Sequence, residues 1–481
     1  MRADLKLYVE YSNEIWNWGW PFGTQTTWAH NQAKAYGYPL NFDGEPDNGG
    51  FTRYKAMRTV QISTIFRSVF GDAQMMTHVR PVLCWQKGWL DVANKAITFI
   101  DLFYNKRDSR SNWGDPHPVN YYLYGGSSTG YWYTETAVGL TTDNIWTNGT
   151  WDAAKFYTLC ADEAALTKTY GLTYLAYEGD NHPAYNGDEA IVKQIHWDPR
   201  MKQATLDHLN VWNRLDGDLF NFLVLNNYGL TDWGIRNTVD PANSPQLEAI
   251  EQFNATAPLP VDLGTLIPFS RSGRSWDTWG SSGRTATPSD TGAIGLTSNG
   301  LGFTASYLFR TLRDTMCNVR VEYNAAAGAA LDVEYNGTVI GTYTKPAGVT
   351  GMSFTPTVQI ACKGDKVHSI RMVARLGNVS IRTIAMVGSA PWATGIDGNV
   401  ALLSTKPGFS IRQLKNTSTL VINTGFKDAY DVVVTNALGK NILQKKQMHG
   451  TVGLDIGHLN AGVYFVALNR GGKTVSMKFV I

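Results

Sequence analysis

The chain has 481 residues, of which 43% are hydrophobic and only 17% are charged. This composition excludes an intrinsically disordered protein and is large enough for about three folded domains. The 42 Lys and Arg residues nearly balance the 40 Asp and Glu residues, so a net charge of +2 gives no field that favours nucleic acid or an anionic membrane. Aromatic residues make up 12% of the chain, which suits a neutral sugar ligand because flat rings stack on sugar C–H groups.

The first region, residues 1–257, alternates strand-like and helix-like segments, as βα units around a parallel sheet do. The predicted strands are Leu5–Ser12, Met76–Trp85, Val119–Tyr124, Leu172–Glu178 and Leu219–Asn226. The predicted helices are Phe51–Phe70, Trp89–Tyr104, Trp151–Tyr170, Met201–Trp212 and Gln246–Phe253. The loops after the strands hold most of the Trp and Tyr residues, which places the predicted binding site at the carboxyl ends of the strands.

Two β-rich regions follow a linker-like segment at residues 257–260. Residues 261–390 contain short β-branched segments separated by Gly and Asn, a pattern typical of a β-sandwich. Within them, the segment DVEYNGTVIG predicts a hairpin with an Asn-Gly turn. Residues 402–481 follow a second break and predict a smaller β-sandwich. The sequence therefore predicts three domains, 1–257, 261–390 and 402–481.

The four cysteines are scattered along the chain, at Cys84, Cys160, Cys317 and Cys362. Their number and spacing fit neither a disulfide framework nor a zinc site, and the sequence predicts no metal and no cofactor. Cys317 and Cys362 fall in segments that look like neighbouring strands, so a disulfide between them is a hypothesis. No apolar run reaches the ~20 residues that a membrane span needs.

Two glutamates end predicted strands of the first region and form the candidate catalytic pair. Glu14 closes the segment YVEYSNE, with Asn13 beside it, and Glu178 closes LTYLAYE. In glycoside cleavage one such carboxyl acts as general acid and the other as nucleophile, and Asn13 fits a donor to a sugar hydroxyl. The alternative is that either glutamate caps a helix or pairs with an arginine on a solvated rim.

The segments VEYSNE and YEG, at residues 9–14 and 177–179, resemble the fourth-strand and seventh-strand signatures of clan A (β/α)8 glycoside hydrolases. This resemblance implies an acid/base role for Glu14, a nucleophilic role for Glu178 and a retaining mechanism with the carboxyls ~5 Å apart. That division of roles requires the pKa of Glu14 to be the higher one.

The same resemblance assigns further residues and predicts an incomplete barrel. It implies that Trp233 is a platform under the reacting sugar and that Tyr124 orients the nucleophile. If Glu14 ends strand four, strands one to three are missing, so we expect an N-terminally truncated fragment of a longer secreted enzyme. The alternatives are a circular permutation and a partner that supplies the missing strands. The predicted fold class is multidomain: a partial α/β barrel of the TIM type, followed by two all-β sandwich modules.

Other aromatic and polar residues near the predicted strand ends are candidates for substrate binding. Trp16, Trp18 and Trp20 alternate along the loop after Glu14, so on an extended loop they would present one sugar-stacking face. Trp85 and His182 lie beside other strand ends. The alternative for the large aromatics is that they are packing residues.

Residues 261–390 resemble carbohydrate-binding β-sandwich modules that are appended to glycoside hydrolases. In this module the candidate ligand platforms are Trp276 and Trp279, which lie in the polar segment RSWDTWGSSG. The alternative is a purely structural sandwich that spaces the first region from the tail.

The tail resembles the C-terminal sorting domain of the type IX secretion system. The resemblance rests on VVVTNALGKNILQKKQ and on the core L-x-x-G-x-Y-F-V at residues 459–466, followed by a turn, a lysine and a closing strand. It implies that the partner is the type IX secretion machinery and that the protein is exported to the cell surface or the medium.

Together these features predict a secreted, retaining glycoside hydrolase that acts on a β-linked polysaccharide. A cellulose-like β-glucan is the first choice of substrate, with β-mannan or xylan second. The competing hypothesis is a non-catalytic cell-surface protein that binds glycans and carries a degenerate or truncated barrel.

Overall fold

The computed structural model describes the whole chain except residues 1, 3, 43, 45, 106–114, 134–140, 148–150, 183–188, 226–233, 236–243, 281–286, 289–292, 298–303, 346, 389–399, 407–408, 415–418, 425–428, 437–439, 449–451, 457–458, 460–462, 471–472 and 481. The chain divides into two compact units, Met1–Ile267 with Arg271–Ile384, and Pro268–Ser270 with Ala385–Ile481. Among the described helices, none has the length and apolar character that crossing a membrane requires.

The first region contains an open parallel sheet, which we call the half-barrel. Its strands, and a short pair beside them, are β1 (Leu7–Val9), β2 (Val79–Trp85), β3 (Gly125–Thr129), β4 (Trp132–Tyr133), β5 (Thr173–Gly179), β6 (Asn181–His182) and β7 (Gly217–Phe222). The five-stranded sheet has the order β1-β2-β3-β5-β7, and β4 pairs with β6. Five parallel strands in chain order confirm the predicted half-barrel architecture.

Helices connect these strands, as the pattern of βα units predicts. They are α1 (Gly23–Tyr36), α2 (Pro46–Phe70), α3 (Leu90–Tyr104), α4 (Val119–Tyr122), α5 (Ala153–Thr169), α6 (Glu189–His196), α7 (Met201–Arg214) and α8 (Pro245–Ala255), with 3-10 turns at Asp72–Gln74 and Asn144–Trp146. The five predicted helices correspond to α2, α3, α5, α7 and α8. The apolar faces of α2 and α3 pack on the sheet in a single hydrophobic core.

One predicted strand of the half-barrel is wrong. Residues 119–122 form the short helix α4, and the strand is the next segment, Gly125–Thr129, whose five small residues are all buried. A Cβ on Gly126 would lie 2.5 Å from both Thr167 and the Trp85 ring, so the neighbouring bulky side chains leave no room for a larger residue. Sequence reasoning assigns such a Gly- and Ser-rich segment to a loop because these residues favour turns.

The second region is a β-sandwich of two mainly antiparallel sheets. Its strands are β8 (Thr265–Leu266), β9 (Phe269–Ser272), β10 (Thr278–Gly280), β11 (Thr287–Pro288), β12 (Ile294–Thr297), β13 (Thr304–Arg310), β14 (Thr315–Ala325), β15 (Ala330–Tyr335), β16 (Thr338–Thr344), β17 (Ser353–Phe354), β18 (Val358–Cys362), β19 (Val367–Leu376) and β20 (Asn378–Gly388). One sheet has the order β10-β13-β19-β15-β16 with β8 on β13, and the other β11-β12-β20-β14-β17 with β18 on β14 and β9 on β20.

The predicted hairpin of the sandwich is confirmed as β15 and β16. Asn336 and Gly337 have φ angles of +46° and +76°, the conformation that a two-residue turn of type I′ requires. The four cysteines are free thiols, so the hypothesis of a disulfide is not supported. Cys317 and Cys362 do lie on the paired strands β14 and β18, as predicted, with their thiols in hydrogen-bonding contact.

The half-barrel and the sandwich share the first compact unit and meet through polar contacts. Ser369 Oγ of β19 donates to the carbonyl of Thr169, and Asn120 Nδ2 donates to the carbonyl of Asn336, at 3.2 and 2.9 Å. Asp216 accepts from the backbone N–H of Val367 at 3.1 Å. The contacts of the half-barrel come from segments that precede β3, β5 and β7, so the sandwich lies against the amino edge of the parallel sheet.

The tail forms the second unit, with eight strands among its described residues. They are β21 (Val400–Lys406), β22 (Phe409–Leu414), β23 (Thr419–Thr424), β24 (Tyr430–Asn436), β25 (Asn441–Met448), β26 (Val452–Asp455), β27 (Val463–Arg470) and β28 (Lys473–Val480). Two antiparallel sheets, β21-β22-β23-β26 and β25-β24-β27-β28, enclose a core that includes Ile422, Val432 and Val466. This is the small β-sandwich that the sequence predicts.

Candidate active site

The loop after β1 places the Glu14 carboxyl inside the half-barrel. Glu14 and Ser12 both adopt positive φ angles, +48° and +55°, which turn the chain sharply at a cost of about 1–3 kcal/mol each. The next two residues, Ile15 and Trp16, are buried in the core and anchor the turn. The side chain of Glu14 is therefore largely withdrawn from solvent.

Two neighbouring side chains hold both oxygens of the Glu14 carboxyl. The Tyr177 hydroxyl donates to Oε1 at 2.9 Å, and Asn17 Nδ2 donates to Oε2 at 2.7 Å. Tyr177 comes from β5 and Asn17 from the same loop as Glu14, so the sheet and the loop together fix the orientation of the carboxyl.

Glu178 lies at the carboxyl end of β5 and receives a hydrogen bond from the loop after β3. The Tyr131 hydroxyl donates to Glu178 Oε1 at 3.0 Å, and the N–H of Gly130 donates to the carbonyl of Glu178 at 2.6 Å. A Cβ on Gly130 would lie 2.4 Å from the Phe220 ring. Glycine therefore permits the close passage that brings Tyr131 to the glutamate.

The structure brings the two glutamates of the predicted pair together. The carboxyls of Glu14 and Glu178 are in hydrogen-bonding contact. They are thus closer than the ~6.5–9.5 Å that an inverting glycosidase needs for a water molecule between its carboxyls. The contact joins the loop after β1 to the end of β5, which lies three strands away in the sheet.

Burial and the charge of a neighbouring carboxyl act on Glu178. Burial, followed by the charge of Glu14, raises the pKa of Glu178 to about 7, and the hydrogen bond from Tyr131 offsets part of this rise. Two adjacent carboxyls do not both ionise readily and share one proton as a unit, so the predicted division into acid and nucleophile stays a prediction.

A buried lysine from α2 lies beside the carboxyls. Lys55 Nζ donates to the carbonyl of Cys84 at 2.7 Å and lies 3.8 Å from the centre of the Trp16 ring. Burial lowers the pKa of Lys55, and the charges of Cys84, Glu10 and Glu14 oppose that lowering. The side chain thus supplies an amine next to the acid cluster.

Two predicted sugar platforms are wrong. Trp85 is fully buried and Trp16 is 3% exposed, so neither indole presents a face to a substrate. Trp16 packs edge-on against Tyr177, at 5.9 Å between ring centres. The predicted strip on the loop is also wrong for Trp16, because the chain turns inward there and only Trp18 and Trp20 are exposed, at 52% and 95%.

Tyr124 is also wrongly assigned as the residue that orients the nucleophile. It precedes β3, at the amino edge of the sheet, where its hydroxyl donates to Asp218 at 3.2 Å and Arg80 lies 4.2 Å from its ring centre. The tyrosine that reaches Glu178 is Tyr131, two residues after β3. The error follows from the misplaced strand, because the true strand moves the carboxyl edge from Tyr124 to Thr129.

The remaining predicted site residues stay predictions. Asn13 is exposed beside Glu14, and its carbonyl accepts a hydrogen bond from Gln25. Trp233 lies outside the described residues, as do the side chains of His182 and Trp279, although their backbones belong to β6 and β10. Trp276 is half-buried in the sandwich.

The sequence alone assigns no role to three residues of the site, which are Asn17, Lys55 and Tyr177. Tyr177 and Asn17 lie within three residues of the two predicted glutamates, and that proximity is the signal that could have found them. Lys55 is 41 positions from Glu14 in the chain, and nothing local distinguishes it from a surface lysine. The described residues contain no group of three or more His, Cys, Asp and Glu side chains that could hold a metal.

Several solved structures are similar to parts of the chain. They include the GH26-CBM35 β-(1,4)-mannanase of Podospora anserina, with 17% identity, 26% of this chain and 29% of that chain covered and a TM-score of 0.21. The C-terminal CBM6 of the laminarinase LamC from Zobellia galactanivorans has 15% identity, 25% and 99% coverage and a TM-score of 0.20. The β-glucuronidase of Ruminococcus gnavus has 12% identity, 37% and 36% coverage and a TM-score of 0.18.

The chain spans less than a third of the mannanase and little more than a third of the glucuronidase. No curated protein sequence matches it. Residues 416–481, by contrast, match the family described as secretion system C-terminal sorting domain, which confirms the type IX sorting domain predicted for the tail. The chain therefore ends in a member of this sorting-domain family, and the protein is secreted or displayed at the cell surface.

Proposed function

We propose that the protein is a secreted glycoside hydrolase that cleaves a β-linked polysaccharide with retention of configuration. The observation that carries the proposal is the contact between the Glu14 and Glu178 carboxyls at the carboxyl edge of the half-barrel. Separate hydrogen bonds from Tyr177, Asn17 and Tyr131 hold the two carboxyls. Two adjacent carboxyls in a partly buried site are the equipment of retaining glycosidases.

In the first step Glu178 attacks the anomeric carbon while Glu14 protonates the departing glycosidic oxygen. The bond from the carbon to the leaving oxygen breaks as the bond to Glu178 forms. In the second step Glu14 takes a proton from water, the water oxygen bonds to the anomeric carbon, and Glu178 departs as a carboxylate. The contact between the carboxyls lets their shared proton reside on Glu14 when the nucleophile engages the sugar.

The residues around the pair support these roles. Tyr131 donates to the Glu178 carboxyl and so stabilises its ionised form. Tyr177 and Asn17 keep the Glu14 carboxyl directed at the site. The near-zero net charge of the chain favours a neutral substrate, with a cellulose-like β-glucan first and β-mannan or xylan second.

A second candidate function is that of a non-catalytic cell-surface protein that binds glycans. The observation in its favour is the open sheet, whose edge strands β1 and β7 each pair with a single neighbour among the described strands. In this case the glutamate pair would be a remnant, and the exposed aromatic side chains would provide the binding.

Reducing-sugar release from soluble β-glucan, β-mannan and xylan tests the proposal. We expect the full chain to release sugar from at least one of them and Glu178→Gln to be slower by about 10²–10⁴-fold. The control is Glu251→Gln, which changes an exposed glutamate of α8 and should leave release unchanged. Equal release by the chain and by Glu178→Gln, or no release from a chain that still binds glycan, would overturn the proposal.

A further inference from the structure

Two half-exposed indoles lie on either side of one buried ring at the carboxyl edge of the half-barrel, and we call them the Trp18–Trp89 surface. Trp18 and Trp89 are 52% and 40% exposed, and both contact the ring of buried Phe51 between them. The ring centres lie 6.0 Å apart for Trp18 and Phe51 and 6.5 Å apart for Trp89 and Phe51. The buried Phe51 ring therefore packs between two half-exposed indoles and contacts both.

The two indoles come from neighbouring loops at the edge that holds the glutamate pair. Trp18 lies four residues after Glu14 in the loop that follows β1. Trp89 lies four residues after the end of β2, which pairs directly with β1. Because the carboxyl ends of parallel strands share one edge of the sheet, the surface continues outward from the catalytic pair.

Packing alone does not account for these exposed indoles. Single exposed aromatic residues are common on protein surfaces, but connected ones mark binding sites. Trp18 is held on two sides, by Phe51 and by His30 at 5.9 Å, so its ring is positioned and still half open to solvent. An indole that is already held in place and half exposed loses little conformational entropy when a flat ligand stacks on it.

The chemistry of the surface selects a neutral ring-shaped ligand. Indole faces stack on the C–H faces of sugar rings, whereas a charged ligand would need a compensating charge that a chain of net charge +2 does not concentrate. A polysaccharide chain that passes over the glutamate pair would continue across Trp18 and Trp89.

We propose that the Trp18–Trp89 surface binds sugar units of the same polysaccharide beyond those that contact the glutamates. The protein therefore prefers long chains to short ones. This inference rests on the proposed function for the identity of the ligand, but it concerns binding and does not depend on turnover.

Binding measured without hydrolysis tests the inference. In a Glu178→Gln background, Kd is measured for the disaccharides and hexasaccharides of the cello, manno and xylo series. We expect the preferred hexasaccharide to bind at least about tenfold more tightly than its disaccharide. Trp18→Ala and Trp89→Ala should each weaken hexasaccharide binding by about tenfold, and the double variant should bind both lengths alike.

Tyr38→Ala is the control, because Tyr38 is also about half exposed but packs on Phe103 near the carboxyl-terminal end of α3, toward the amino edge of the sheet. It should leave both Kd values unchanged. Trp18→Phe and Trp89→Phe keep a ring and should give intermediate losses if either alanine variant unfolds.

Hexasaccharide binding that is unaffected by the Trp18 and Trp89 variants would overturn the inference, as would a parent that binds neither length. Failure of the proposed function would show separately, as a chain that binds hexasaccharide through these residues and releases no sugar.

Discussion

The buried acids at the two edges of the parallel sheet have neighbours of opposite charge. At the carboxyl edge Glu14 and Glu178 lie in contact, and burial together with the charge of Glu14 raises the pKa of Glu178. At the amino edge burial alone would raise the pKa of Asp216, but Lys168 and Lys366, each 2.7 Å from its carboxyl, hold it below its ordinary value.

A second compensated cluster lies between the half-barrel and the sandwich. Arg371 of β19 is almost completely buried, and it contacts Asp101 of α3 at 3.0 Å and Glu334 of β15 at 2.6 Å. Its guanidinium lies 4.3 Å from the centre of the Tyr170 ring. At the amino edge, buried acids are paired with cations and so stabilise the fold. At the carboxyl edge, two acids lie in contact, which costs stability and is typical of reactive sites.

Among variants that distinguish the two edges, we expect Arg371→Ala to have the largest effect. Removing the guanidinium leaves two buried carboxylates without their cation, which should lower the free energy of unfolding of the first unit by about 3–5 kcal/mol. Urea unfolding followed by tryptophan fluorescence measures this change.

The control is Lys363→Ala, which breaks an exposed ion pair with Asp314 of the same sandwich. Water screens an exposed pair, so this variant should unfold nearly as the parent does. Equal decreases in the free energy of unfolding for Arg371→Ala and Lys363→Ala would contradict the view that buried ion pairs stabilise the amino edge.

Tyr131→Phe should affect activity and leave stability nearly unchanged. It removes the hydrogen bond that lowers the pKa of Glu178, so the acidic limit of activity, which the ionised nucleophile sets, should move to higher pH and kcat/KM at neutral pH should fall by about tenfold. The pH dependence of sugar release measures both changes.

Tyr124→Phe is the matched control at the amino edge. It removes a hydroxyl whose partner is Asp218, away from the glutamate pair, and should leave the pH profile in place. A profile that moves with Tyr124→Phe and not with Tyr131→Phe would restore the assignment made from the sequence.

A further effect is a loss of stability as the pH rises toward 7. Burial raises the pKa values of Glu178 and Asp180 to about 7. A carboxyl with a raised folded pKa stabilises the fold below its unfolded pKa and loses that contribution as the pH rises through the folded pKa. Each group contributes a slope of at most about 1.4 kcal/mol per pH unit.

Thermal unfolding between about pH 5 and 8 measures this loss, which is nearly complete above the folded pKa of about 7, and Glu178→Gln should reduce it. Asp216, whose pKa is lowered, loses its contribution only as the pH falls through its folded value, so the amino edge should not contribute in this range. A midpoint that rises from pH 5 to 8 would contradict the raised pKa values.

Much of the architecture follows from local pattern. The helices α2, α3, α5, α7 and α8 are predicted to within a few residues because their apolar spacing repeats over several turns. The hairpin at Asn336 and Gly337 is predicted because few residues adopt the two positive φ angles that its turn requires. The strand Gly125–Thr129 is missed because only small residues fit beside the bulky side chains that pack on it, and those side chains are distant in the sequence.

The sequence by itself determined the order of the parallel strands and the sorting tail and singled out Glu14 and Glu178 as a pair, since these depend on short motifs and local periodicity. Tertiary structure decided which aromatic rings face solvent, because the turn at Glu14 directs Trp16 inward and leaves Trp18 outside. It also decided that Tyr131 reaches Glu178 and that burial raises the pKa of Glu178. Burial and the distance between charges arise only when strands far apart in the sequence lie side by side.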